Sequence, residues 1–355
     1  VKQALYRLAA SEAVLGSVRK RVAHAGVTVF MYHDLGADDA VDDAWQVVRR
    51  RDFVAQVDYL RNCYDIVDLD TALARLHGVP ATLPGALSAS GRPLAVLTFD
   101  DGLRGNHVHL LPLLQPLQLP VTVYVATGHV ETQQAYWFDR VVNALQPGLD
   151  SRIDLTAFGL GHFEVRGPAG ALRWSQVQRV LASTKQLDAQ RCIEVAEQVE
   201  AQVGAQAPGR GPIAPVLAPM DLDMLRELAA HPLVTLGVHT HGHELLPLLD
   251  AEQARVSVDG ARERLQRWTG VEVRHFAYPS GRCDPVSRAL VASLGYTTAA
   301  GADPGVWTVE DDLMNLPRMS VGRYDSLDTF KLNAVGGLSH LLRRAVGLDE
   351  RRVAG

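Results

Sequence analysis

VLTFDDGLRGN, residues 96–106, ends an apolar run with two adjacent carboxylates, Asp100 and Asp101, followed by a glycine. Placing two like charges side by side is unfavourable unless a cation or a proton separates their fates. Asp-Gly is also among the commonest turn signals. The stretch therefore reads either as a plain turn or as chemistry at the end of a strand.

Similar runs recur along the chain: VTVFMYH (27–33), YDIVDL (64–69), LAVLTFD (94–100), VTVYVAT (121–127), LVTLGVHT (233–240), RHFAYP (274–279) and YTTAAG (296–301). Segments with helical spacing lie between several of them, such as 52–63 and 251–270, the latter ending in Thr-Gly, a helix stop. Strands that are nearly continuous in apolar residues and alternate with helices predict a parallel sheet covered on its outer face. No GxGxxG or Walker-type loop follows any strand, so a nucleotide-binding open sheet has no support. The expected fold is α/β, a distorted (β/α)7-type barrel over residues 27–325. Residues 129–220 differ, with weak strands, a polar helix over 184–204 and the Pro/Gly-rich stretch 207–219. They read as an insertion on one β/α connection. Residues 1–26 read as an amphipathic helix and 326–355 as a helical tail.

With 355 residues, 47% hydrophobic and 21% charged, the chain is long enough for one large core or two domains. A net charge of −5, with only short basic spots at Arg49–Arg51 and Arg343-Arg344, argues against a nucleic-acid surface. Cys63, Cys192 and Cys283 are odd in number and widely spaced, so they suggest neither a disulfide framework nor a CxxC zinc site. No run approaches the roughly 18 apolar residues that span a bilayer, and no signal-peptide cleavage site is visible. The expected location is the cytoplasm, or the periplasm or exterior if a leader has been removed.

In a parallel barrel, reactive groups project from the C-terminal ends of strands. Four run ends carry polar groups: Tyr32-His33-Asp34, Asp100-Asp101, His239-Thr240-His241-Gly242-His243 and Tyr278-Pro279-Ser280-Gly281. Three histidines in five residues can offer two imidazoles to one metal ion, and a carboxylate can complete a His2Asp set with open positions. One aspartate then ligates while the other stays free as a base.

T-F-D-D-G at 98–102 with Asn106, together with His239-Thr240-x-x-His243, resembles the first two motifs of the polysaccharide deacetylases, carbohydrate esterase family four. V-F-M-Y-H-D and W-F-D-R (137–140) are similar to a bacterial branch associated with exopolysaccharide and surface-glycan synthesis. The resemblance implies a metal-dependent removal of N-acetyl groups from amino sugars in a surface polysaccharide or its precursor. By position, Asp100 matches the base, and Asp101, His239 and His243 match the ligands of a divalent ion. Zinc, cobalt and nickel all suit such a donor set. Thr240 matches a residue supporting the histidine loop. His241 falls on a variable position.

The third motif departs from the family's R-x-x-Y-G. Its nearest match is Tyr278-Pro279-Ser280-Gly281, where Ser280 can supply the oxyanion N–H and Tyr278 is a candidate substrate contact. Arg274 lies a few residues upstream, and its position alone does not make it the replacement for the missing arginine. Arg318 in N-L-P-R-M is the candidate cation for Asp100, with a rim salt bridge as the alternative. Leu338-Ser339-His340 matches the acid motif only by coincidence of spacing; His33 lies nearer the expected chemistry and is a candidate substrate contact, with a packed structural histidine as the alternative, so the acid is unassigned. Tyr136, Trp137 and Trp307 are candidate sugar platforms. A cyclic-amide or small-molecule amidohydrolase, and a glycan-binding relative without turnover, stand as alternatives.

Overall fold

The computed structural model describes residues 9–23, 26–77, 91–206 and 215–337. The chain begins with α1 (Glu12–Ala23), β1 (Val27–Tyr32), the short pair β2 (Asp34–Gly36) and β3 (Val47–Arg49), and α2 (Arg50–Cys63). It continues through β4 (Asp65–Ile66), α3 (Leu69–Leu76) and β5 (Leu94–Phe99). A π-helical turn, Asn106–Leu110, runs into α4 (Leu111–Leu114) and then β6 (Val121–Val125). An excursion follows, made of α5 (Thr127–Thr132), α6 (Trp137–Ala144), β7 (Ser151–Asp154), β8 (His162–Val165), α7 (Ala171–Thr184) and α8 (Ala189–Gln206). The chain returns through α9 (Leu222–Ala229), β9 (Val234–Val238), α10 (Ala251–Thr269), β10 (His275–Ala277), α11 (Pro285–Ser293) and β11 (Thr298–Ala300). It closes with β12 (Met319–Ser320) and α12 (Leu327–Ala334).

The main sheet is parallel throughout, in the order β11-β10-β9-β6-β5-β1-β12, with β4 flanking the start of β5. This curled seven-strand path is the expected (β/α)7-type barrel, and its distortion is localised. No ladder joins β11 to β12. Irregular chain closes that wall: the Ala299 N–H donates to Leu313 O at 2.8 Å and the Gly301 N–H to Leu316 O at 2.9 Å. Trp307 and Val27 exchange two further bonds, at 2.7 and 2.8 Å.

Two expected elements are shorter than their patterns. YDIVDL yields only Asp65–Ile66, because the Asp68 carboxylate accepts the Thr71 N–H at 2.7 Å and starts α3. The helix expected over 184–204 begins at Ala189. The chain breaks after Thr184, where the Leu187 N–H turns back to Thr184 O at 2.9 Å, and Asp188 then accepts the Arg191 N–H at 3.0 Å. The Thr-Gly stop of α10 holds, with Gly270 left-handed at φ 74°.

The pleat sorts the sheet residues into two layers. Phe30, Tyr32, Leu97, Phe99, Val123, Val125, Val238 and Phe276 pack outward with the helices. Val29, Val96, Tyr124, Ala277 and Ala300 form a separate inner cluster with Trp307 and Leu316. The excursion has its own core, in which Tyr136, Val141, Trp174, Val177, Val195 and Val199 are buried together. Among the described residues no helix is long and apolar enough to cross a membrane, and all three cysteines are free.

Candidate active site

Three strands end on an outward apolar residue: Tyr32, Phe99 and Val238. Side chains alternate along a strand, so the next residue of each, His33, Asp100 and His239, turns inward. Register brings these ends level. Tyr32 pairs with Phe99 and Val125 with Val238. The ladders continue one step further, as the Asp100 N–H donates to Tyr32 O at 2.9 Å and the His239 N–H to Val125 O at 3.0 Å.

Asp100 and Asp101 part at this point. Asp101 takes a left-handed conformation, φ 76°, as does Gly102 at φ 66°. The Asp-Gly pair is therefore a turn, and the turn is what aims the two carboxylates in different directions. Asp100 receives Arg318: Nη1 and Nη2 donate to its two oxygens at 2.7 Å each. The same guanidinium donates to Gly301 O at 2.7 Å and to Thr98 Oγ1 at 3.1 Å. Burial by itself would raise Asp100, but the Arg318 charge, with His239 and His33, holds it below the ordinary carboxylate range.

Asp101 faces the histidines. Its Oδ1 lies 3.4 Å from His239 Nε2 and 3.5 Å from His243 Nε2. That oxygen is buried and has no hydrogen-bond partner among the described residues. His239 Nδ1 sits 2.8 Å from Ala277 O, which can only accept, so Nδ1 carries the proton and Nε2 presents its lone pair. Burial pushes His243 down to about 3, leaving its ring neutral at ordinary pH. Burial also works against protonated His239, but Asp101 and Asp100 more than offset it and raise that group. One carboxylate and two imidazoles converging around an unpartnered buried oxygen fit a divalent cation.

The histidine loop is held by its own polar atoms. Thr240 (φ 62°) and His243 (φ 61°) are both left-handed. Thr240 Oγ1 accepts the Glu244 N–H at 3.1 Å, and Glu244 Oε2 accepts the Gly242 N–H and the Ser257 hydroxyl, each at 2.8 Å. His241 turns away from the ligand set and meets Thr127 Oγ1 at 2.9 Å.

The remaining candidates divide. Ser280 is left-handed at φ 54°, and its N–H finds no acceptor among the described residues. Gly281 beside it is required, because a Cβ there would lie 2.4 Å from the Ala302 Cβ and φ is +64°. Tyr278 is corrected. It follows Phe276 by two residues, so the pleat turns its ring outward into the helix-side core, and its N–H is taken by Ala300 O at 3.0 Å. It offers a substrate neither hydroxyl nor amide. His33 is buried against Trp45, with ring centroids 5.7 Å apart and Nδ1 unpartnered. Burial lowers it despite the opposing pull of Asp101 and Asp100. Trp307 is fully buried beside Val27, so it is core and not a platform. Arg274 pairs with Asp70 at 2.6 Å, ahead of β10 and so at the barrel end opposite the site. Leu338-Ser339-His340 and Arg343-Arg344 lie outside the described residues.

Two residues that the sequence marks otherwise, Asn106 as a motif position and Tyr136 as a candidate sugar platform, act as supports. Asn106 Nδ2 donates to His33 O at 2.8 Å and to Asp34 Oδ1 at 3.1 Å, tying the first strand end to the turn after the third run. Tyr136 donates its hydroxyl to Asp101 O at 2.7 Å. Tyr136 is buried, so it is not the sugar platform expected of it.

The polysaccharide deacetylase family model matches residues 88–189 and 194–299. No curated protein sequence is significantly similar. Solved structures with the same fold include IcaB from Ammonifex degensii, at 18% identity and TM-score 0.54, covering 88% of this chain and 97% of that one. A de-N-acetylase from Aggregatibacter actinomycetemcomitans is 14% identical with TM-score 0.53, covering 86% and 99%. Streptococcus pyogenes deacetylase PplD, in complex with acetate, is 14% identical with TM-score 0.52, covering 85% and 95%. With more than half of its length matched by the family model around this site, the chain belongs to the polysaccharide deacetylases and is a carbohydrate N-deacetylase, a hydrolase of C–N bonds outside peptides.

Proposed function

We propose that the chain removes acetyl groups from N-acetylhexosamine units of a surface polysaccharide or its precursor in a divalent-metal-dependent hydrolysis with Asp100 as the base. The observation that carries this reading is the separation of the two carboxylates: Asp100 is locked to Arg318, while Asp101 Oδ1 is left bare between two imidazoles. Asp101, His239 and His243 would hold the cation. When bound, it acidifies water and polarises the amide carbonyl.

The chain's own groups do the rest. Asp100, kept ionised by Arg318, takes a proton from the attacking water as the C–O bond forms. The Ser280 N–H donates to the carbonyl oxygen as that oxygen becomes negative. His33, neutral at the outset and inward next to Asp100 across the sheet, takes that proton over from Asp100 and delivers it to the nitrogen as the C–N bond breaks. Acetate and a free amine leave. The arginine on Asp100 answers one of the two departures that support a binding protein without turnover, the missing cation of the third motif; the departure at the acid motif is the other.

The test is acetate release from N-acetylglucosamine oligomers by chelator-treated protein, with and without added zinc, cobalt or nickel. Metal-restored release is expected. Turnover of cyclic amides but not of oligomers would favour the small-molecule amidohydrolase. Oligomer binding without release under any metal would favour the non-catalytic reading.

A further inference from the structure

Tyr136 contributes no group to the hydrolysis, yet it touches two of the three converging residues, one through its backbone and one through its side chain. It is 2% exposed, and its hydroxyl is the only donor among the described residues to the Asp101 carbonyl, at 2.7 Å. Its ring meets His243 edge-on at 5.2 Å. Behind it stand His129, tilted at 3.7 Å, and Phe138, stacked at 5.1 Å, and Phe138 also reaches His243 at 5.3 Å. Tyr136 comes from the excursion between β6 and β9, so the contact crosses from an inserted segment to the barrel's own site.

The contact falls where the backbone is least favourable. Asp101 and His243 are both left-handed, at φ 76° and 61°, a region that residues with a Cβ keep only when their surroundings impose it. The orientation of the Asp101 carbonyl and the direction in which its side chain leaves the backbone are tied together by the local φ and ψ. A hydroxyl fixed on the carbonyl therefore holds the direction from which the carboxylate approaches the histidines.

We propose that Tyr136 is a positioning residue, through which the inserted segment holds Asp101 and His243 in the arrangement that binds the metal ion. The inference rests on the metal reading above. It makes the excursion a working part of the site.

Tyr136→Phe keeps the ring and deletes only the bond to Asp101. On metal-stripped protein, cobalt affinity measured by competition with a chromogenic chelator should fall about 10–100-fold, the range for losing a group that orients a ligand. The visible absorption bands of the bound cobalt should shift, while the melting temperature of the metal-free protein changes little. Replacing Tyr136 by 4-aminophenylalanine returns a donor to the same place and should restore affinity and spectrum. If the Phe variant is too unstable to strip, cobalt-loaded protein is challenged with excess EDTA, and release at least about tenfold faster is expected. Wild-type affinity and spectrum, or an unchanged release rate, would overturn the proposal. His239→Ala is the control. If it keeps its cobalt, the metal reading itself has failed; if it loses cobalt, a wild-type result for Tyr136→Phe counts against the positioning role alone.

Discussion

Arg318 grips both oxygens of Asp100 at 2.7 Å, with neither side chain open to solvent. The two residues are 218 positions apart in sequence. The barrel brings them together by placing Asp100 just after β5 and Arg318 just before β12, with β1 between. A bidentate fork fixes the plane of the carboxylate as well as its charge. The Thr98 hydroxyl and the Gly301 carbonyl, in turn, fix the guanidinium.

Arg318→Lys should keep a positive charge and lose the fork. Asp100 is then held down less firmly, so its pKa rises and the acidic limb of the pH–rate profile moves to higher pH. Lower activity at neutral pH with partial recovery at alkaline pH is expected. Arg318→Ala strands a buried carboxylate, and a stability loss of about 3–5 kcal/mol is typical of that change. An acidic limb that stays in place in the Lys variant would remove Arg318 from the base's environment.

Asp100→Asn and Asp101→Asn should fail differently. The first removes proton transfer alone, so bound metal is retained while the rate falls roughly 10²–10⁴-fold. The second removes the bare oxygen between His239 and His243, so metal content falls with activity. Elemental analysis beside acetate release separates them. Equal metal content in both variants would mean the labour is not divided this way.

The strand ends were readable because apolar runs stop at polar residues, and the pleat then decides which side chains point inward. His33, Asp100 and His239 follow from that rule. Tyr278 was misread by following a motif position in place of the alternation that Phe276 sets two residues earlier. Arg318 was suggested only by a gap, since nothing in its neighbourhood of sequence reveals a partner on β5. Tyr136 was not legible as a support, because its bond to a backbone carbonyl 35 residues away depends on how the excursion folds back. The break between α7 and α8 was missed because Thr184 to Asp188 continues the polar spacing of a helix while its backbone turns.

Gly105→Ala tests the brace under His33. A Cβ there would lie 2.2 Å from both Asp34 Oδ1 and Leu35 O, one of them backbone. The Asp34 carboxylate also accepts the Gly105 N–H at 3.2 Å, so the clash and the bond share one place. Relief requires the turn after β5 to move away from the end of β1. A loss of about 1–3 kcal/mol in urea denaturation is expected, with a drop in kcat as His33 and Asp100 separate. Wild-type stability with wild-type rate would show that the brace does not set their spacing.

Asp139 supplies the last test, and it concerns pH. Its carboxyl is 1% exposed, and neither oxygen has a hydrogen-bond partner among the described residues. Burial first, and then the Asp101 and Asp34 charges, raise it well above the ordinary carboxylate range. The folded protein thus holds a proton that the unfolded chain releases near pH 4. The sign follows: with the folded pKa above the unfolded one, stability falls as pH rises from about 4 until the folded pKa is passed. The slope over that window is up to about 1.4 kcal/mol per pH unit. Asp139→Asn has nearly the same shape and no proton to lose, so it escapes this decline. Its own N–H groups bring a fixed cost that does not depend on pH. The stability of the variant relative to wild type should therefore climb between pH 5 and pH 8 in urea titrations of metal-stripped protein, where metal release adds no pH dependence of its own. A difference that stays flat across that range would show Asp139 ionised in the fold, and a partner for its charge would then have to be found.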